Sequence, residues 1–141
     1  MEIIINHYAV IVAAISSIVM GSLWYGPLFG KQWMALMGFT QEQMEAAKKK
    51  GMTKSYLFAL VGSFLTAYVL AYAIAFTNTL FGTQGGVIGI TVGYFAWLGF
   101  VVPASLSTVL WEGRPWKLFF LNIGYYLALF VVMGAILGAW M

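Results

Sequence analysis

Four runs of this sequence, each of roughly the twenty residues or more that a helix needs to cross the hydrocarbon core of a bilayer, are apolar and almost free of charge. They extend from about Ile3 to Trp24, from Ser55 to about Phe76, from Val87 to Trp111 and from Trp116 to Met141, and the last is long enough to predict tilt or protrusion. In lipid, every backbone N–H and C=O must find its partner within the protein, so each run is expected to be a helix. The fold predicted is an all-α integral membrane four-helix bundle, a single membrane domain over residues 1–141. Composition agrees, because 62% of residues are apolar and 8% charged, against about a quarter charged in soluble domains. Asp is absent, and Glu2, Glu42, Glu45 and Glu112 fall outside the runs or at their ends, as the cost of placing charge in hydrocarbon requires. The first run lacks the basic flank and the small-residue cleavage site of a signal peptide and is expected to be retained.

Charge then orients the helices. Lys31, Lys48, Lys49, Lys50 and Lys54 follow the first run and Arg114 and Lys117 follow the third, whereas the N-terminus carries only Glu2 and residues 77–86 carry no charge. Cytoplasmic loops are enriched in Lys and Arg, which predicts both basic connections inside and both termini outside; in a bacterium this is the inner (plasma) membrane. The bilayer is the expected partner. Nucleic acid is not, because the net charge of +3 comes from residues that flank apolar spans. The absence of cysteine removes disulfides, thiolate nucleophiles and Cys-based metal centres together.

The connection over residues 27–54 is more than a loop. Pro27 is placed to start a short interfacial helix, with Leu28, Phe29, Trp33, Met34 and Met37 as a lipid-facing stripe and Gly38 at its end. Thr40 and Gln43 form a capping box for a second, amphipathic helix. Its acids come early (Glu42, Glu45) and its lysines late (Lys48, Lys49, Lys50), as the helix dipole favours, before Gly51 stops it.

Helices in lipid associate where small residues let backbones approach, and every run carries such a stripe. The first has Ala13, Ser17 and Gly21; the second Ala59, Ser63, Ala67, Ala71 and Ala75; the third Gly85, Gly89 and Gly93; the fourth Gly134 and Gly138. These faces serve either the internal packing of one bundle or a homo-oligomer seam. Pro103 removes a backbone hydrogen bond inside the third run and predicts a kink there, with freed carbonyls left to Ser105, Ser107 or a neighbouring helix. Leu23-Trp24-Tyr25-Gly26-Pro27 also echoes Leu110-Trp111-Glu112-Gly113-Arg114-Pro115, a pattern that either duplication or the ordinary chemistry of a membrane interface produces.

Three motifs in order carry a likeness to a known family: Gly21-Ser22-Leu23-Trp24-Tyr25-Gly26-Pro27-Leu28-Phe29-Gly30-Lys31 with Trp33-Met34, then Leu110 to Lys117, then Asn122-Ile123-Gly124-Tyr125 with Met133 to Gly138. Over nearly its whole length the chain resembles the bacterial membrane family known as domain of unknown function 1761. The resemblance implies a small four-helix membrane protein. It brings no activity, substrate or catalytic residue.

The predicted topology separates the polar residues into two groups, with His7 at the outer side and Glu112 and Arg114 at the inner side, about 30 Å apart across the hydrocarbon. No His-carboxylate metal centre is expected, and no cofactor. The inner group is richer. Trp24, Tyr25, Trp111, Glu112 and Arg114 meet at one depth, with Asn122 and Tyr125 following on one face of the fourth helix, and these seven are the candidate ligand-binding residues. The alternative is an aromatic belt with a turn-fixing ion pair. Three function classes follow. The foremost is binding or transport of a small amphipathic molecule or lipid. The others are a membrane-embedded enzyme or accessory subunit using Glu112 and Arg114, and a structural subunit that docks a partner. No catalytic residue is assigned, and the absence of ionisable groups at mid-bilayer disfavours an ion-coupled pump.

Overall fold

The computed structural model of the chain describes residues 2–141, which are all-α. Helix α1 (His7–Leu23) is capped by Asn6, whose side chain accepts from the backbone N–H groups of Tyr8 and Ala9 at 3.1 and 3.2 Å. It runs on through one π-helical turn, Trp24–Leu28, in which Phe29 N donates to Trp24 O at 2.8 Å and Gly26 leaves helical geometry. Two short helices follow, α2 (Gly30–Met37) and α3 (Gln41–Lys50), ended by Gly38 at φ 75° and Gly51 at φ 86°. Both glycines occupy positive φ, where a Cβ would clash. Thr40 and Gln43 cap α3 reciprocally, each side chain bonded to the other's backbone N–H.

The second span is α4 (Thr53–Phe81), ended by Gly82. The third is α5 (Gly86–Ala96), a second π turn (Trp97–Val101), and the short segments α6 (Val102–Ser105) and α7 (Ser107–Leu110). The fourth is α8 (Trp116–Trp140). All four spans are long and apolar enough to cross a membrane. The longest is α4, whose 29 residues rise about 44 Å, and α8, with 25 residues, keeps the length expected of the fourth run. Thr77 and Thr79 keep its polar end helical by bonding the carbonyls of Ala73 and Ala75 at 2.8 Å.

Two local expectations need correction. Pro27 does not begin α2; it lies inside the π turn Trp24–Leu28, directly after the kink at Gly26, where its missing N–H falls in an already widened turn, and Phe29 is the residue before α2. Nor does the apolar stripe of α2 face only outward. Trp33 packs edge-on against Tyr25 with ring centroids 5.7 Å apart, and Phe29 lies 4.7 Å from Trp24, while Leu28 is exposed.

Helix α8 is the hub, packed against α5, α1 and α4. Its seam with α5 is backbone against backbone. A Cβ on Gly89 would meet the carbonyl of Gly134, one on Gly134 would meet the carbonyl of Gly89, and one on Gly138 would lie 2.6 Å from Gly85 O. The glycine stripes of the third and fourth spans therefore face each other within one chain. On the other side, Ala13, Ala67 and Ala71 are fully buried and Ser17 Oγ donates to Ser63 Oγ at 2.5 Å, joining α1 to α4. Ala59 is the member of that stripe left exposed. Ile74, Met133, Leu137 and Val10 fill the remaining core. The outer faces carry Phe58, Phe81 and Phe100, each exposed over at least 74% of its surface, which suits hydrocarbon surroundings and not water.

Gly134→Val is expected to destabilise the bundle by about 1–3 kcal/mol, the usual range for overpacking. Gly62→Ala, where a Cβ meets nothing within 4 Å, is expected to be neutral or slightly stabilising. Unfolding titrations in mixed micelles measure both.

Candidate functional site

The seven residues predicted to share one site divide into two sets. Trp24, Tyr25, Asn122 and Tyr125 come together. Tyr25 Oη donates to Asn122 Oδ1 at 2.8 Å, joining the end of the first span to the fourth across 97 positions of sequence. The Tyr25 and Tyr125 rings meet edge-on at 5.1 Å, and Trp24 lies 6.2 Å from Tyr125. Small residues make this possible: a Cβ on Gly21 would lie 3.2 Å from the Tyr125 hydroxyl, and Gly124 faces the Trp24 ring. Tyr125 Oη in turn donates to the Ser17 carbonyl at 3.3 Å. Trp24 Nε1 is buried without a partner, so this ring is held by its aromatic neighbours and not by hydrogen bonding.

Trp111, Glu112 and Arg114 stand outside this group. Helix α7 ends at Leu110, and the chain turns through Gly113 at φ 68° before α8 begins, which carries all three side chains outward. Trp111 is 85% exposed, and Glu112 and Arg114 are exposed as well. The turn is held by its backbone, with Arg114 N donating to Thr108 O at 3.0 Å. Asn122, not Glu112, is the partner of Tyr25. The likeness of Leu23 to Pro27 and Leu110 to Pro115 thus conceals opposite surroundings, one Trp packed and the other bare.

Beside the Tyr25–Asn122 bond lies a cavity of about 560 Å³. Tyr25 and Trp33 form one wall, Phe119, Asn122 and Tyr126 of α8 another, and Ser105 and Thr108 of the third span border a third side, leaving the cavity partly open. The third span is irregular here for physical reasons. Pro103 cannot donate a helical bond, the π turn just before it widens the ladder, and Leu106 bonds back only to Pro103 O, at 3.3 Å. Hydroxyls bond the local carbonyls, Ser107 to Ala104 at 3.1 Å and Thr108 to Ser105 at 2.8 Å. Trp97 Nε1 donates to Ile123 O at 2.8 Å and ties the π turn to α8.

Sequence reasoning missed Trp33, Ser105, Thr108, Phe119 and Tyr126 as neighbours of the pair. The signal was partly present, since Pro103 with three hydroxyl residues after it marks the stretch of the third span that opens. Nothing local indicates that α2 folds back to place Trp33 there. His7 is 17 positions before Trp24, about 26 Å along the helix, and its Nδ1 lies 3.0 Å from the Tyr68 hydroxyl. Asn6 Nδ2 donates to Trp140 O at 3.3 Å, fastening the first span to the end of the last. Among the described residues, no three His, Asp or Glu side chains gather as a metal site would require.

A family model described as "Protein of unknown function (DUF1761)" matches residues 8–138. The chain belongs to this family. Comparison with curated proteins and with solved structures returned no match. In this DUF1761 chain the matched region contains both partners of the Tyr25–Asn122 bond and every residue that lines the cavity beside it.

A double-mutant cycle of Tyr25→Phe and Asn122→Leu is expected to give a coupling of about 1 kcal/mol, as for other hydrogen bonds between helices in lipid. Glu112→Gln is expected to change stability by less than about 0.5 kcal/mol, as at an exposed position without structural partners.

Proposed function

We propose that this protein is an integral membrane binding protein or carrier for a small amphipathic molecule, held in the cavity between the inner ends of the first, third and fourth spans. One observation carries the proposal: a hydrogen-bonded polar pair, Tyr25–Asn122, borders a cavity of about 560 Å³ with aromatic walls. Small-molecule sites have this character and size, mostly apolar with a few placed polar groups. An enzymatic role built on Glu112 and Arg114 has less support, since both side chains are exposed and lie off the cavity lining. The contact of the third- and fourth-span glycines within one chain supports a single-chain unit, and the small-residue face left open on the second span, at Ala59 and Gly62, is where a second copy would pack.

Native mass spectrometry of the protein released from mild detergent tests this. A reproducible bound small-molecule mass on a single subunit is expected, and Thr108→Phe, which fills the cavity, is expected to remove it. A bare mass for the native protein would refute the proposal.

The membrane is the bacterial inner membrane, with both termini outside, on the distribution of Lys and Arg. The chain contains no cysteine, so single introduced cysteines report topology without background. In whole cells a membrane-impermeant maleimide is expected to label Gln84→Cys and to spare Lys49→Cys. The reverse pattern would invert the orientation.

A further inference from the structure

We infer that the ligand of this cavity carries an uncharged oxygen function, a carbonyl or hydroxyl, on an apolar body, and that the Asn122 amide N–H is the group that recognises it. The inference rests on the proposed binding role of the same cavity and adds the chemistry of its occupant. An asparagine side chain has one accepting oxygen and two donating N–H bonds. Asn122 Oδ1 already accepts from Tyr25 at 2.8 Å, so the Nδ2 donors are what this residue has left for the cavity that it lines. Thr108 spends its proton on Ser105 O at 2.8 Å, which leaves the lone pairs of its own oxygen as an acceptor. A donor and an acceptor on facing walls suit a hydroxyl, and the donor alone suits a ketone or ester.

Charge is excluded by the rest of the lining. No Lys, Arg, Glu or His borders the cavity, and no Asp exists in the chain. A carboxylate, phosphate or ammonium placed there would lose part of its water without gaining a counter-ion, a cost that an uncharged oxygen function does not carry. Hydrocarbon alone is disfavoured for the opposite reason, because it leaves the Asn122 donors facing an apolar surface without a partner. The rings of Trp33, Phe119 and Tyr126 receive the apolar part.

The test is a matched series on the whole protein in mild detergent, with 2-undecanone, undecane and undecanoate at equal concentration and thermal stability and retained mass as readouts. The ketone is expected to bind at least tenfold more tightly than either of the others. Asn122→Leu is expected to reduce that preference to less than threefold, and the wild-type series decides the question even where this variant folds poorly. Equal or tighter binding of undecanoate or undecane would overturn the assignment of ligand class and leave the cavity as a binding site. Uptake of none of the three would overturn both.

Discussion

At Gly89 and Gly134 the third and fourth spans meet with no side chain between them, and the arrangement of the other helices depends on that approach. In lipid, apolar side chains gain little by leaving hydrocarbon for a protein interior, so association is driven by close packing and by hydrogen bonds between helices. Glycine on both faces lets the backbones of α5 and α8 touch, with Gly85, Gly89 and Gly93 set against Gly134, Gly138 and the Phe130 carbonyl. Because that seam occupies one face of α8, its other faces are free to receive α1 and α4, and α8 becomes the element that every other span touches.

The same close contact explains why the cavity lies where it does. Toward the start of α8 the glycines give way to Phe119, Asn122 and Tyr126, and on the third span the regular helix gives way to the π turn, Pro103 and the break at Leu106. Two helices in backbone contact at one end are held apart by side chains at the other. The space between is bordered by Tyr25 and Trp33, brought in by the π turn that bends the first span. Both π turns thus lie near this cavity, and each has proline within a few residues to prevent a regular ladder from closing.

Polar chemistry is distributed accordingly. Charge is confined to the N-terminus, the connections and the first turns of α4 and α8, with Glu112 and Arg114 on an exposed turn and the lysines of α3 exposed beyond the spans. Inside, polar side chains are neutral and three of them pair across helices, Ser17 with Ser63, Tyr25 with Asn122 and Trp97 with the Ile123 carbonyl, while Trp24 Nε1 stays unpartnered. Neutral pairs of this kind fix the register between helices at a small desolvation cost, which a buried charge would raise severalfold.

The four spans and the all-α fold were legible in the sequence because apolar length alone forces helix formation in hydrocarbon, and the Thr40–Gln43 cap was legible because a helix terminus is satisfied by residues three apart. The small-residue stripes were visible too, but not their pairing. A stripe states that a helix can be approached closely, and only the assembled bundle decides that the third span's glycines meet the fourth's while the first span's serine meets the second's. The candidate site was half legible. Trp24, Tyr25, Asn122 and Tyr125 were identified by depth, and depth also placed Trp111, Glu112 and Arg114 beside them. Depth along a helix axis fixes one coordinate; the direction in which a side chain points about that axis is fixed by where the helix ends and what packs on it. Leu110 ending α7 turned the charged residues outward, and the return of α2 brought Trp33 inward. Both outcomes depend on contacts between segments distant in sequence, which no local pattern encodes.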